Sequence, residues 1–139
     1  MSNAADLAQN EIIEEFGFFD DWMDRYQYLI DLGRQLEPLD ESDKLDDNLL
    51  HGCQSKVWFL VEGDQAQLRF RANSDSVIVS GLIALLLRIF SERSAAEILA
   101  VEPYFVGQTG LSQHLSPTRS NGLHAMLQKI RQEAQQAAG

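Results

Sequence analysis

Residues 57–90 read VWFLVEGDQAQLRFRANSDSVIVSGLIALLLRIF, and the hydrophobic pattern changes its period within them. Residues 57–61 form a short apolar run of strand-forming side chains, and residues 65–72 alternate polar and apolar side chains, which is typical of a strand with one face in water. Gly63 and Asp64 lie between these two runs and predict the turn of a hairpin. The first half of the stretch therefore predicts a small antiparallel sheet.

The second half of the stretch, from about residue 76 to residue 90, is apolar nearly all round. Such a pattern predicts a central helix that is buried on most sides. Ser74 and Asp75 precede it, and either can cap its first turn. The run is shorter than the roughly 20 residues that cross a bilayer, so we expect no membrane association.

On the N-terminal side, residues 11–36 carry apolar side chains at three- and four-residue steps, which predicts two helices with the second beginning near Trp22. Residues 39–47 are acid-rich and turn-prone, which favours a surface loop. Residues 48–50 are a candidate third strand. Residues 1–8 are expected to form a flexible leader.

On the C-terminal side, Ser94 and Glu97 have the spacing of a capping box, which predicts a short helix. Ser116 followed by Pro117 predicts the start of a final helix. Helices beside a small antiparallel sheet of about three strands make the predicted class α+β. We expect one domain over residues 1–139, because the chain shows neither a repeat nor a linker.

The charge of the chain is unevenly distributed. The formal net charge of the 139 residues is −10, and residues 1–50 hold 14 acidic and 3 basic side chains. Because nucleic-acid affinity comes mainly from Lys and Arg contacts to phosphates, we expect no nucleic-acid binding. The acidic half is either a solvated surface or a surface for a basic partner.

Residues 51–58, HGCQSKVW, contain the single cysteine of the chain. A lone Cys excludes an internal disulfide and fits a reducing compartment, so we expect a cytoplasmic protein. Cys53 is either a reactive thiol at a loop or strand edge, where Gly52 permits unusual backbone angles, or a small buried hydrophobe. The apolar side chains that follow it are expected to cover the thiol partly in the free protein.

The sequence gives less support to two other kinds of site, a metal site and a hydrolase site. His51, His114 and His124 with Cys53 offer four metal-ligand side chains, but they lack the close spacing of a structural zinc site. A Cys–His hydrolase pair lacks a recognisable nucleophile motif or a partner for the imidazole.

Taken in order, several segments make the chain resemble the SufE family of sulfur-acceptor proteins. The segments are RYQYLIDLG (25–33), GCQSKVW (52–58), SDS (74–76) with IVSGL (78–82), and HLSPTRSNGL (114–123). The resemblance covers about 120 residues, and the GCxSxVW element is its most specific part.

The resemblance implies an α+β fold similar to the IscU-type scaffold and a role for Cys53 as the acceptor of sulfane sulfur. It implies a PLP-dependent cysteine desulfurase, of the SufS or CsdA type, as the partner that this chain stimulates, and an iron–sulfur scaffold complex as the recipient. It places Asp75 and Arg119 near the Cys loop in supporting roles. PLP belongs to the partner, so the chain itself is expected to hold no cofactor or metal and to be an accessory protein rather than an enzyme.

Two alternatives remain open at the level of sequence. One is an acidic interaction or regulatory module in which Cys53 is structural. The other is a Cys-dependent enzyme that acts on a small molecule.

Overall fold

The computed structural model describes residues 3–51 and 55–139. Within these ranges the chain forms seven α-helices and one two-stranded sheet, which confirms the α+β class. In chain order the elements are α1 (Ala4–Gly17), α2 (Trp22–Arg34), β1 (Val57–Asp64), β2 (Gln67–Ser74), α3 (Val77–Phe90), α4 (Ala95–Leu99), α5 (Phe105–Gln108), α6 (Leu111–His114) and α7 (Pro117–Ala138). Two 3-10 turns, Glu41–Asp43 and Asp46–Asn48, lie in the acidic segment between α2 and β1.

The predicted hairpin is present, with β1 antiparallel to β2 and Val57 opposite Ser74. Its turn is displaced from the predicted position, because Asp64 pairs with Gln67 and the two residues between them make the turn. The Asp64 side chain accepts a hydrogen bond from the backbone N–H of Ala66 at 3.0 Å. This local bond stabilises the tighter turn and allows β1 to continue through Asp64.

The expected third strand is wrong, because the described part of the sheet has two strands. Residues 48–50 make a single antiparallel bridge, Leu49 with Trp58, supported by a hydrogen bond from Leu50 N to Val57 O at 2.9 Å. The Asp46–Asn48 turn immediately precedes this bridge. A 3-10 turn cannot pair as a strand, so the contact with β1 stays short.

The helix α3 is the centre of the core, as its sequence predicts. Most of its side chains are buried, and α1, α2, α7 and the hairpin pack around it. Its cap differs from the prediction, because Ser76 is the N-cap and its hydroxyl accepts from Val79 N at 3.3 Å. Ser74 instead accepts from the N–H of Ser76, and Asp75 points to a different partner, described below.

The N-terminal segment is ordered over more of its length than the sequence suggested. The sequence predicts a flexible leader over residues 1–8, but α1 begins at Ala4 with Asn3 as its N-cap. Ala5 is completely buried and Ala8 nearly so. Small apolar side chains on one face of the first turns let α1 pack closely, so residues 4–8 belong to the fold.

The two predicted C-terminal helix starts are confirmed. Ser94 and Glu97 form a complete capping box at α4, and Ser116 caps α7 with Pro117 in its first turn. Among the described residues, no helix has both the length and the apolar character that a membrane crossing requires.

Candidate functional site

The residue with the most reactive side chain lies outside the described part of the chain. Gly52, Cys53 and Gln54 belong to the undescribed residues, so the expectations for the position and cover of Cys53 stay predictions. The nearest described neighbours are His51 on one side and Ser55 on the other. We call residues 52–54 the cysteine segment. The described part of the candidate site is formed by the residues around its two flanks, His51 and Ser55.

Asp75 holds the chain just after the cysteine segment. Its carboxylate Oδ1 accepts a hydrogen bond from the backbone N–H of Lys56 at 3.0 Å, and its own N–H donates to the Lys56 carbonyl at 3.2 Å. Because Val57 is paired with Ser74, these two bonds extend the hairpin by one residue pair beyond its strands. The point at which the cysteine segment meets the sheet is therefore fixed by Asp75.

Arg119 approaches the same segment from α7. It lies in the first turn of that helix, where its N–H donates to the Ser116 hydroxyl at 3.3 Å. Arg119 and Ser55 line one small cavity, of about 20 Å³, whose other walls include Val79 and Leu82 of the buried helix. The fold thus brings the C-terminal flank of the cysteine segment together with Arg119.

Arg119 is the one charged side chain among the described residues that line this cavity. Arg119 is exposed, and its side chain makes no ion pair or hydrogen bond with any residue in the described ranges. The first turn of α7 contains no acidic residue. A helix N-terminus carries a partial positive charge, so a cation there is unfavourable and the two charges add. The arrangement favours an anion, such as a thiolate, beside the cavity.

The three histidines are not gathered at this cavity. His51 is exposed and lines a larger groove beside β1. The imidazole of His114 stacks on Trp22 with ring centroids 3.9 Å apart, and its carbonyl accepts from the Tyr26 hydroxyl. His124 lines a groove between α7 and the short helices α5 and α6. Within residues 3–51 and 55–139, no three metal-ligand side chains cluster as a cation would need.

The strongest ionic network of the described chain is separate from the site and is structural. Arg88 of α3 pairs with Glu15 of α1, and Glu15 also accepts a hydrogen bond from the Tyr28 hydroxyl of α2. The Arg88 hydrogen bond holds the pKa of Glu15 below its usual value. Burial, followed by the bond to Glu15, raises the pKa of Tyr28 to about 12. The network joins the three helices α1, α2 and α3.

The sequence pointed to Asp75 and Arg119 through family resemblance, and the structure brings both to the flank of the cysteine segment. The sequence did not identify Ser55 as a neighbour of Arg119 or Lys56 as a neighbour of Asp75. The signal for Lys56 was the register of the hairpin, since the residue before β1 must lie opposite the residue after β2.

Comparison with known proteins gives concordant results. A family model, SufE, described as an Fe-S metabolism associated domain, matches residues 10–134. An uncharacterized SufE-like protein of Rhizobium meliloti is 39% identical over 131 residues, which cover 91% of this chain and 94% of the relative. Another, from Rhizobium etli, is 41% identical over 130 residues, covering 90% of this chain and 88% of the relative.

One solved structure shows the same fold. It is the solution structure of a hypothetical protein from Thermus thermophilus, which superposes with a TM-score of 0.76 at 21% sequence identity. The match covers 94% of this chain and 96% of the other, so the two proteins share the arrangement of helices around the hairpin over nearly their whole lengths.

Proposed function

This chain belongs to the SufE family of Fe-S metabolism associated domains, and on that premise we propose that it is a sulfur carrier with Cys53 as the acceptor. It receives sulfane sulfur from a PLP-dependent cysteine desulfurase, of the SufS or CsdA type, and stimulates that enzyme. It passes the sulfur to an iron–sulfur scaffold complex. In this proposal the chain is a cytoplasmic accessory protein that needs no cofactor of its own.

The proposed step is an exchange between sulfur atoms. The Cys53 thiolate attacks the terminal sulfur of a persulfide on the desulfurase cysteine, so that a new S–S bond forms on Cys53. The original S–S bond breaks, and its electron pair leaves with the desulfurase cysteine as a thiolate. The two cysteines exchange roles without an external oxidant or reductant, as in thiol–disulfide exchange.

The observation that carries the proposal is the family match over residues 10–134, a span that includes the only cysteine of the chain. The absence of a second thiol in the sequence suits a carrier, because a persulfide on Cys53 has no resolving cysteine with which to form an internal disulfide.

The described flank of the cysteine segment supports the same chemistry. Only a thiolate attacks a persulfide, and an ordinary thiol with a pKa of about 8.5 is about 3% ionised at pH 7. The Arg119 guanidinium, which has no partner among the described residues, and the N-terminus of α7 lie at the cavity that Ser55 lines. We propose that these positive groups raise the thiolate fraction of Cys53, and that Asp75 supports the site by holding Lys56.

The test is the mass of the intact protein after incubation with a cysteine desulfurase and cysteine. We expect a gain of one or more sulfur atoms that a reducing agent removes, and no gain in a Cys53→Ser variant. This substitution changes little volume, so the variant should unfold at the same denaturant concentration as the parent.

Two results would contradict the proposal. Failure of the folded parent to gain sulfur from either the SufS or the CsdA type of desulfurase would remove the carrier role. Full stimulation of a desulfurase by Cys53→Ser would assign the stimulation to docking alone and favour the interaction-module alternative.

A further inference from the structure

The two edges of the hairpin are protected unequally. The outer edge of β2 is closed by the loop after α3, since Leu68 N donates to Arg93 O at 2.8 Å and Glu92 N donates to Leu68 O at 2.7 Å. The next outward N–H, that of Phe70, donates to the Ser91 hydroxyl at 2.9 Å. No further strand can add to this part of the β2 edge.

In the part of the chain that the structure describes, the outer edge of β1 is closed only at its beginning. Val57 O accepts from Leu50 N, and backbone groups alternate in direction along a strand, so Val61 also points its N–H and C=O away from β2. This direction agrees with Val61 lying opposite Phe70, whose N–H also faces outward. Among the described residues, the outward N–H and C=O of Val61 have no hydrogen-bond partner. An unpaired strand edge is a template for another strand.

A groove accompanies this open edge. We call it the β1-edge groove; it consists of two adjoining cavities of about 380 and 270 Å³ that share Asp47, Asn48, Phe59 and Lys129. One wall is β1, including Leu60 and Val61, and the opposite wall is α7. The groove has room for the side chains of an extended peptide that pairs with Val61.

The charge of the β1-edge groove indicates what kind of segment fits. Its only lining cation within the described ranges, Lys129, is already paired with Glu133 at 2.8 Å. Asp47 is exposed, as is the adjacent Asp46, and neither has a described cation within ion-pair distance. The remaining field is negative, so it attracts a basic side chain.

We propose that the β1-edge groove binds an extended segment of a partner protein, which adds as a strand beside Val61 and directs a basic side chain toward Asp47. Main-chain hydrogen bonds supply the register of such a complex, and the groove selects the side chains. His51 lines one end of the groove, so the bound segment lies beside the chain that leads to the cysteine segment. This inference concerns binding alone and does not depend on the sulfur-carrier role.

The probe is a short synthetic peptide in which Lys and Val alternate, compared with one in which Glu and Val alternate. Amide hydrogen exchange of Val61 is followed by NMR on the full chain. At a Lys–Val peptide concentration about ten times its Kd, we expect exchange of the Val61 amide to slow about tenfold, and the effect to weaken with added salt.

Variants test separately the two parts of the proposal, which are strand pairing at Val61 and attraction of a basic side chain by Asp47. Val61→Pro removes the outward N–H without touching the ladder between β1 and β2, so it should abolish binding, whereas Val61→Thr should retain it. Asp47→Lys should weaken binding of the Lys–Val peptide about fivefold, which corresponds to a contact of about 1 kcal/mol near water. Glu14→Lys, an equal change of charge on α1, should leave binding unchanged. Asp47→Lys also tests the proposal if Val61→Pro does not fold.

Several outcomes would overturn the inference. No slowing of Val61 exchange at about 1 mM Lys–Val peptide would remove the docking site. Equal slowing by the Glu–Val peptide would remove the charge argument. Concentration-dependent slowing without any peptide, together with dimerisation, would show that a second copy of the chain occupies the edge.

Discussion

Asp75 and Lys56 are joined by two hydrogen bonds, one from the Lys56 N–H to the Asp75 carboxylate at 3.0 Å and one from the Asp75 N–H to the Lys56 carbonyl at 3.2 Å. The pair closes the open end of the hairpin, on the side from which the cysteine segment leaves. It explains why an acidic residue stands immediately before the true cap of α3, Ser76, without capping the helix itself.

We predict that Asp75→Ala lowers the free energy of unfolding by about 1 kcal/mol, because it leaves the Lys56 N–H without its side-chain acceptor. Asp75→Asn keeps an acceptor oxygen and should lose less. Denaturant unfolding measures both. Under the proposed function, Asp75→Ala should also slow sulfur transfer, whereas Ser76→Ala should lose a similar stability through the cap and transfer sulfur normally. Equal losses in stability for Asn and Ala would show that the charge, rather than the acceptor, is what matters.

We predict that Arg119→Ala reduces the reactivity of Cys53 without reducing stability. A cation in the first turn of α7 opposes the helix dipole, so its removal should leave the unfolding free energy unchanged or raise it slightly. Loss of about 1 kcal/mol of thiolate stabilisation corresponds to about fivefold slower alkylation at pH 7. Iodoacetamide labelling measures this directly, because Cys53 is the only thiol in the chain.

Two control variants accompany Arg119→Ala. One keeps a positive charge at position 119, and the other removes a positive charge far from the cysteine in the sequence. Arg119→Lys should preserve most of the labelling rate, and Arg34→Ala, at the end of α2, should preserve all of it. An unchanged labelling rate in Arg119→Ala would exclude Arg119 from the surroundings of the thiol.

We predict that Gly33→Ala is strongly destabilising, because α2 and α3 cross in close contact at this residue. A Cβ at Gly33 would lie 2.7 Å from the backbone nitrogen of Gly81, so the helices must separate. Overpacking of this kind costs about 1–3 kcal/mol. The matched control is Gly107→Ala in α5, where a Cβ meets nothing within 4 Å; it should be neutral or stabilising. Thermal melts of the two variants compare them, and equal melting temperatures would contradict the close crossing.

We predict that stability falls at alkaline pH in part through Tyr28. Its pKa is raised to about 12, first by burial and then by the hydrogen bond to Glu15, so the folded state retains the phenolic proton longer than the unfolded state. The contribution is complete below the ordinary tyrosine pKa of about 10 and is lost as the pH rises toward 12. Urea unfolding across this interval should show a shallower decline for Tyr28→Phe than for the parent. The pKa of Tyr104 is also raised, so part of the decline should persist. An identical decline in both proteins would contradict the prediction.

The sequence predicted the elements that depend on neighbours in the chain. The capping box at Ser94, the cap and proline at the start of α7, and the apolar helix α3 are encoded within a few residues of themselves. Short-range hydrogen bonds and hydrophobic periodicity act over one or two turns, so these signals need no knowledge of the rest of the fold. The errors arose where the same local sequence is compatible with two structures. The hairpin could turn at residues 63–64 or at residues 65–66, and Asp75 could cap α3 or bind Lys56.

What the sequence alone determined is therefore the α+β class, the span of α3, the starts of α2, α4 and α7 and, through resemblance, the family. Only the tertiary structure decided which residues meet: Ser55 with Arg119 at one cavity, Lys56 with Asp75, and an open β1 edge beside α7. These contacts join segments far apart in the chain. They depend on how the helices pack around α3 and on the register of the hairpin, and neither is encoded in any single stretch of residues.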